Sequence, residues 1–154
     1  QKEGTNFTDL ASQTHRISNV LRGATDIISA NNSELEVYAY FSPNDQYVSK
    51  IKYYKSTNGK KILADITYMT ANPPIGNPIP ESLKTYTILD NYMSVTNINL
   101  FDYLSSSGDV LSMPISNLDT IKGIRVNLAV LSSNENVDQS VSVQVSLRNR
   151  KTNL

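Results

Sequence analysis

The chain has 154 residues, with 14 basic and 14 acidic side chains and no cysteine, so its formal net charge is zero. That length supports one domain with a real core, and the balanced charge disfavours nucleic-acid binding by bulk electrostatics. Without cysteine there is no disulfide and no thiolate metal site, and no apolar run in the sequence approaches the roughly 20 residues of a membrane helix.

The first element predicted is the one on which the fold expectation rests. Phe7, Leu10, Thr14, Ile17, Leu21, Ala24 and Ile28 recur at steps of three and four, with Val20 and Ile27 widening the stripe. That spacing places one apolar band along a single helix face. The opposite face reads Asp9, Ser12, Gln13, His15, Arg16, Asn19, Arg22 and Asp26. The helix is expected over about 7–30, ending where Asn31-Asn32-Ser33 can take the left-handed conformation. Ahead of it, Gln1-Lys2-Glu3-Gly4 carries no capping box. Either a removed upstream segment or a natural frayed terminus accounts for that.

Strands are expected over about 34–70. Leu35, Val37, Ala39 and Phe41 alternate with Glu34, Glu36, Tyr38 and Tyr40, the mark of a half-buried strand. Ser42-Pro43-Asn44-Asp45 is a turn, Tyr47 to Lys55 a second strand, and Asn58-Gly59 a hairpin cue before a third strand from Ile62 to Thr70. Turns this short join antiparallel neighbours. Residues 71–80 hold Pro73, Pro74, Pro78 and Pro80 around Gly76, so a surface loop is expected. A short helix is expected around Ile88 to Met93. Strands then cover about 97–148: Asn97 to Leu104, Val110 to Met113, Ile124 to Val130, and Val141 to Leu147, the last two joined by a loop from Ser132 to Asp138. One long amphipathic helix followed by strands predicts a single α+β domain, 1–154, with the helix packed on antiparallel sheet.

The chemistry is sparse. His15 is the only histidine, beside the apolar stripe, and no partner stands at ligand or triad spacing. There is no phosphate-binding glycine loop and no calcium loop. Asn6-Phe7-Thr8 and Asn31-Asn32-Ser33 match the glycosylation sequon, a pattern common by chance. The sequence therefore predicts no catalytic residue, no cofactor, no metal and no enzyme.

One cluster is less bland. Lys50, Lys52, Tyr53, Tyr54, Lys55, Lys60 and Lys61 gather on the second hairpin. Basic residues interleaved with aromatics can hold DNA or another partner. Lysine on a strand also protects a sheet edge, and zero net charge favours that plainer reading. Tyr38, Tyr40 and Tyr54 form a second candidate patch, for glycan or a protein partner, although strand propensity explains them more cheaply.

Three stretches, in order, carry a resemblance. The first is Leu21-Arg22-Gly23-Ala24-Thr25-Asp26-Ile27-Ile28-Ser29-Ala30 followed by Leu35-Glu36-Val37-Tyr38. The second is Leu89-Asp90-Asn91-Tyr92-Met93-Ser94-Val95, then Asn99-Leu100-Phe101-Asp102-Tyr103 and Ser107-Gly108. The third is Ile121-Lys122-Gly123-Ile124-Arg125-Val126-Asn127-Leu128 with Val141 to Arg150. This succession resembles the soluble part of minor type IV pilins and pseudopilins, in particular the minor pilins similar to the J-type pseudopilin of type II secretion. The resemblance implies a pilin-like domain and a structural role: a minor pilin that helps assemble or initiate a type IV pilus, at its tip. A minor pseudopilin of a type II secretion system is the alternative, and a free-standing extracellular nucleic-acid- or glycan-binding β module a third. It further implies other pilin or pseudopilin subunits as partners, a membrane anchor in a segment outside this chain, and a final location in a cell-surface filament. Loops 71–80 and 132–138 are the expected partner contacts, because exposed loops on a rigid scaffold carry function.

Overall fold

The computed structural model describes residues 7–92, 98–131 and 138–147. The first described element is the helix α1, Phe7–Arg22, of 16 residues. It stops well short of the expected end near Ala30. The last turn tightens, with the Gly23 N–H donating to Val20 at 3.2 Å and the Ala24 N–H to Leu21 at 3.0 Å. The residues that follow form a strand, β1, Asp26–Ala30. Gly23 weakens helix by about 1 kcal/mol relative to alanine, and Ile27 and Ile28 are β-branched residues that fit a pleated surface better. Their spacing continued the helical stripe, but the ladder to the next strand won.

The expected architecture, a long helix packed on sheet in a pilin-like α+β domain, is thereby corrected. The protein is mostly β, with antiparallel sheets of five and three strands and one short helix among the described residues. The larger sheet is a meander in chain order: β1, then β2 (Glu34–Ala39), β3 (Ser49–Lys55), β4 (Ile62–Thr67) and β5 (Lys84–Leu89). The smaller runs β6 (Phe101–Leu104), β7 (Gly123–Leu131) and β8 (Asp138–Ser146).

Strict alternation sets which face is wet. Leu35, Val37 and Ala39 of β2, Ile51 and Tyr53 of β3, and Ile62, Ala64 and Ile66 of β4 point inward and are buried. From the smaller sheet come Phe101, Tyr103, Ile124, Val126, Leu128 and Val145. Helix α1 lies against β8 and, less extensively, β7. Its stripe of Leu10, Ile17, Val20 and Leu21 joins both sheets in a single hydrophobic core. Each fully buried side chain of this size contributes about 1.5–3 kcal/mol relative to exposure. Thr14, also in the stripe, satisfies its hydroxyl by donating to the Leu10 carbonyl at 2.7 Å.

Two further expectations are corrected. The short helix around Ile88 to Met93 does not form where it is described: Ile88 and Leu89 close the strand β5, whose Thr85 and Thr87 are β-branched and pair with β4. Met93 lies outside the described residues. Val110 makes only an isolated bridge to Leu104, not a strand. Residues 71–80 double back on themselves, with Met69 bridged to Pro78 and the Asn72 side chain accepting the Val48 N–H at 2.8 Å. Gly76 is required there, because a Cβ at this position would collide with the Ala71 backbone.

Candidate functional site

The lysine and tyrosine cluster lies on the larger sheet. Sequence alternation divides it between two faces. Tyr53 points into the core and is 1% exposed. Burial drives its phenol far above the ordinary value, only weakly opposed by the charge of Arg16. Lys50, Lys52 and Tyr54 point out, half-buried on the wet face. Lys55 sits with its ammonium 5.5 Å from the ring centre of Tyr92. Lys60 and Lys61 are exposed at the Asn58-Gly59 turn, where Gly59 has a φ of 74°.

The wet face is not a free basic surface. Lys50 reaches Glu36 at 3.7 Å, and Lys52 reaches Glu34 at 3.7 Å. Both pairs run diagonally between β3 and β2, since Glu36 stands directly opposite Lys52. The Lys52 ammonium also lies 5.4 Å from the Tyr54 ring centre. The Tyr54 hydroxyl donates to Asp65 at 2.9 Å, and the Thr85 hydroxyl donates to the same oxygen at 2.6 Å. The Tyr54 phenol is held above its ordinary value by burial first and then by Asp65, whose carboxylate accepts its hydrogen bond and opposes a second negative charge. Carboxylates thus alternate with lysines across β2, β3 and β4. This is a cross-strand polar lattice, each exposed pair worth about 0–1 kcal/mol.

Nor is the cluster an edge. β3 is the central strand of its sheet, so Lys50 and Lys52 cannot protect an edge there. Of the tyrosine patch, Tyr38 and Tyr54 are half-buried on this face and Tyr40 is 38% exposed. Asp65 and Thr85 belong to the lattice but were not singled out by sequence. Their only signal was a polar residue at an outward position.

The smaller sheet carries a second lattice. Arg125 approaches Asp102 at 3.8 Å, Asn127 donates to Asp102 at 3.2 Å, and Ser142 donates to Asn127 at 2.7 Å. His15 is exposed on α1. Among the described residues no group of three His, Cys, Asp or Glu could hold a metal ion, and no helix is long and apolar enough to cross a membrane. A shallow cleft of about 280 Å³ lies between the turn after β6 and the end of β8, lined by Leu104, Ser105, Lys122 and Gln144 among others. No acid or histidine lines it; its polar lining is Lys122, Gln144 and serines. Loop residues 132–137 lie outside the described residues.

No family model matches this chain, and no curated protein matches it.

Proposed function

We propose that this chain is a structural subunit, a minor pilin that takes part in assembling or initiating a type IV pilus, and not an enzyme. The observation that carries the reading is α1. It opens the described chain with its apolar stripe locked into a β body, while His15, Arg16, Asn19 and Arg22 face water. The ordered succession of stretches resembling minor pilins supports the same reading. So does the wet face, whose charges are spent on one another.

Its partners on this reading are other pilin subunits, and its location is a cell-surface filament, anchored in the cytoplasmic membrane before assembly. The test uses antibodies to this chain on filaments sheared from the source cell, with a deletion strain beside it. Recovery of the chain in the filament fraction, and loss of filaments on deletion, is the expected result. Normal filaments lacking the chain would overturn the reading; if protein secretion failed instead, the pseudopilin alternative would replace it.

A further inference from the structure

The two sheets have four edges, and among the described residues backbone hydrogen bonds from outside the ladders meet the outer side of β6. The outer side of β6 is met by Asn32, whose carbonyl accepts the Phe101 N–H at 3.1 Å, and by Leu111, whose N–H donates to Tyr103 at 2.7 Å. β1 is flanked by the 3-10 turn Leu118–Thr120, and β8 by α1. β5 is different. Lys84, Thr85, Tyr86 and Thr87 are all exposed, and among the described residues no backbone hydrogen bond from outside its ladder with β4 reaches it.

Natural edges are usually blunted by proline, inward charges or several lysines. β5 has one lysine, no proline and no acid. Its only irregularity is a shift of register that leaves Ile88 unpaired, so the flat part is Lys84 to Thr87. Around it the surface is unusually apolar: Leu83 is 51% exposed and Tyr68 50% exposed, and both sit at the start of the strand, where Ser82 binds the Tyr68 N–H at 2.9 Å. An open row of backbone donors and acceptors specifies its own occupant, another strand.

We infer that the occupant is a second copy of this chain, paired β5 to β5 in antiparallel fashion about a two-fold axis through Thr85. The larger sheets would join into one of ten strands. The strand is complementary to itself in this register. Lys84 faces Tyr86 of the second copy, Thr85 faces Thr85, and Leu83 faces Thr87, so no lysine meets a lysine. Zero net charge removes the long-range repulsion that keeps many proteins apart. Five paired residues from each copy and an apolar rim make a small interface, so the association is weak and concentration-dependent. It stands independently of the filament reading.

The test is sedimentation velocity of the 154-residue chain at concentrations up to about 1 mM. The mean mass rises from 17.1 kDa toward about twice that, and Thr85→Lys, which sets like charges opposite each other yet leaves Asp65 as a local partner, abolishes the rise. Because the protein has no cysteine, Thr85→Cys supplies a second readout. Mild oxidation links it into dimers at least about tenfold faster than Lys61→Cys, through the effective concentration of a paired site. A chain that stays monomeric throughout, association unchanged in Thr85→Lys, or equal linking rates at the two positions would each overturn the inference.

Discussion

The hydroxyl of Tyr103 donates to the carbonyl of Asn31 at 2.7 Å and lies 3.2 Å from the carbonyl of Glu34. Tyr103 is wholly buried on β6, while Asn31 and Glu34 flank the turn between β1 and β2. One phenol therefore fastens the smaller sheet to the larger one. The Asn31 side chain builds the turn it holds, accepting the Ser33 and Glu34 N–H groups at 3.0 and 2.8 Å.

Replacing Tyr103 by Phe keeps the ring and removes the hydroxyl. The Asn31 carbonyl at the junction loses its phenol donor, which costs about 1–3 kcal/mol. Urea unfolding should show a lower midpoint at unchanged slope, the sign of lost stability without a change in exposed surface.

The helix should be held by its stripe and indifferent to its outer face. Leu21→Ala empties a fully buried position and should lose about 2–5 kcal/mol. Asn19→Ala, which removes an exposed hydrogen bond from Arg22 at 3.0 Å, should stay within about 0.5 kcal/mol. Thermal unfolding of the two variants side by side checks the contrast.

Tyr53 and Tyr103 both have phenols raised above the ordinary 10.0, chiefly by burial. The folded state holds the neutral forms, so their stabilising contribution is complete below pH 10 and is lost as pH rises beyond it. The unfolded chain ionises first and pulls the equilibrium toward itself. Absorbance of phenolate during an alkaline titration should show these two tyrosines ionising only together with loss of structure.

The wet face should bind DNA poorly. Lys50 and Lys52 already face Glu36 and Glu34, and Asp65 adds a third carboxylate nearby. Fluorescence anisotropy of a labelled oligonucleotide at about 50 mM salt should show no binding, and Lys50→Glu with Lys52→Glu should change nothing in that assay. Binding that vanished in the double variant would restore the lysine cluster as a nucleic-acid site.

The β strands were the most legible part of the sequence. In β2, β3 and β4 a period of two places Leu35, Val37, Ile51, Tyr53 and Ile66 on one face whatever surrounds them, and that face is the core. The helix end and β5 were not legible, for a shared reason. Ile27-Ile28 and Ile88-Leu89 are adjacent apolar pairs, compatible with either period, and only a neighbouring ladder decides between them. The lysine cluster was legible as a collection of residues, but its meaning was not. Its charge partners on β2 come from 14 or more positions earlier in the chain and reach it only once the strands are in register.

Alternation and turn chemistry alone determined that this chain builds antiparallel hairpins with one apolar face, because both are local properties of consecutive residues. The tertiary structure decided where the helix stops, that the strands divide into two sheets, that Lys50 and Lys52 lie mid-sheet with acidic partners, and that β5 is left open. Each of those depends on which strand lies beside which. A pairing between distant residues is settled by competition among ladders and by a shared core, and it leaves no mark in the spacing of either partner.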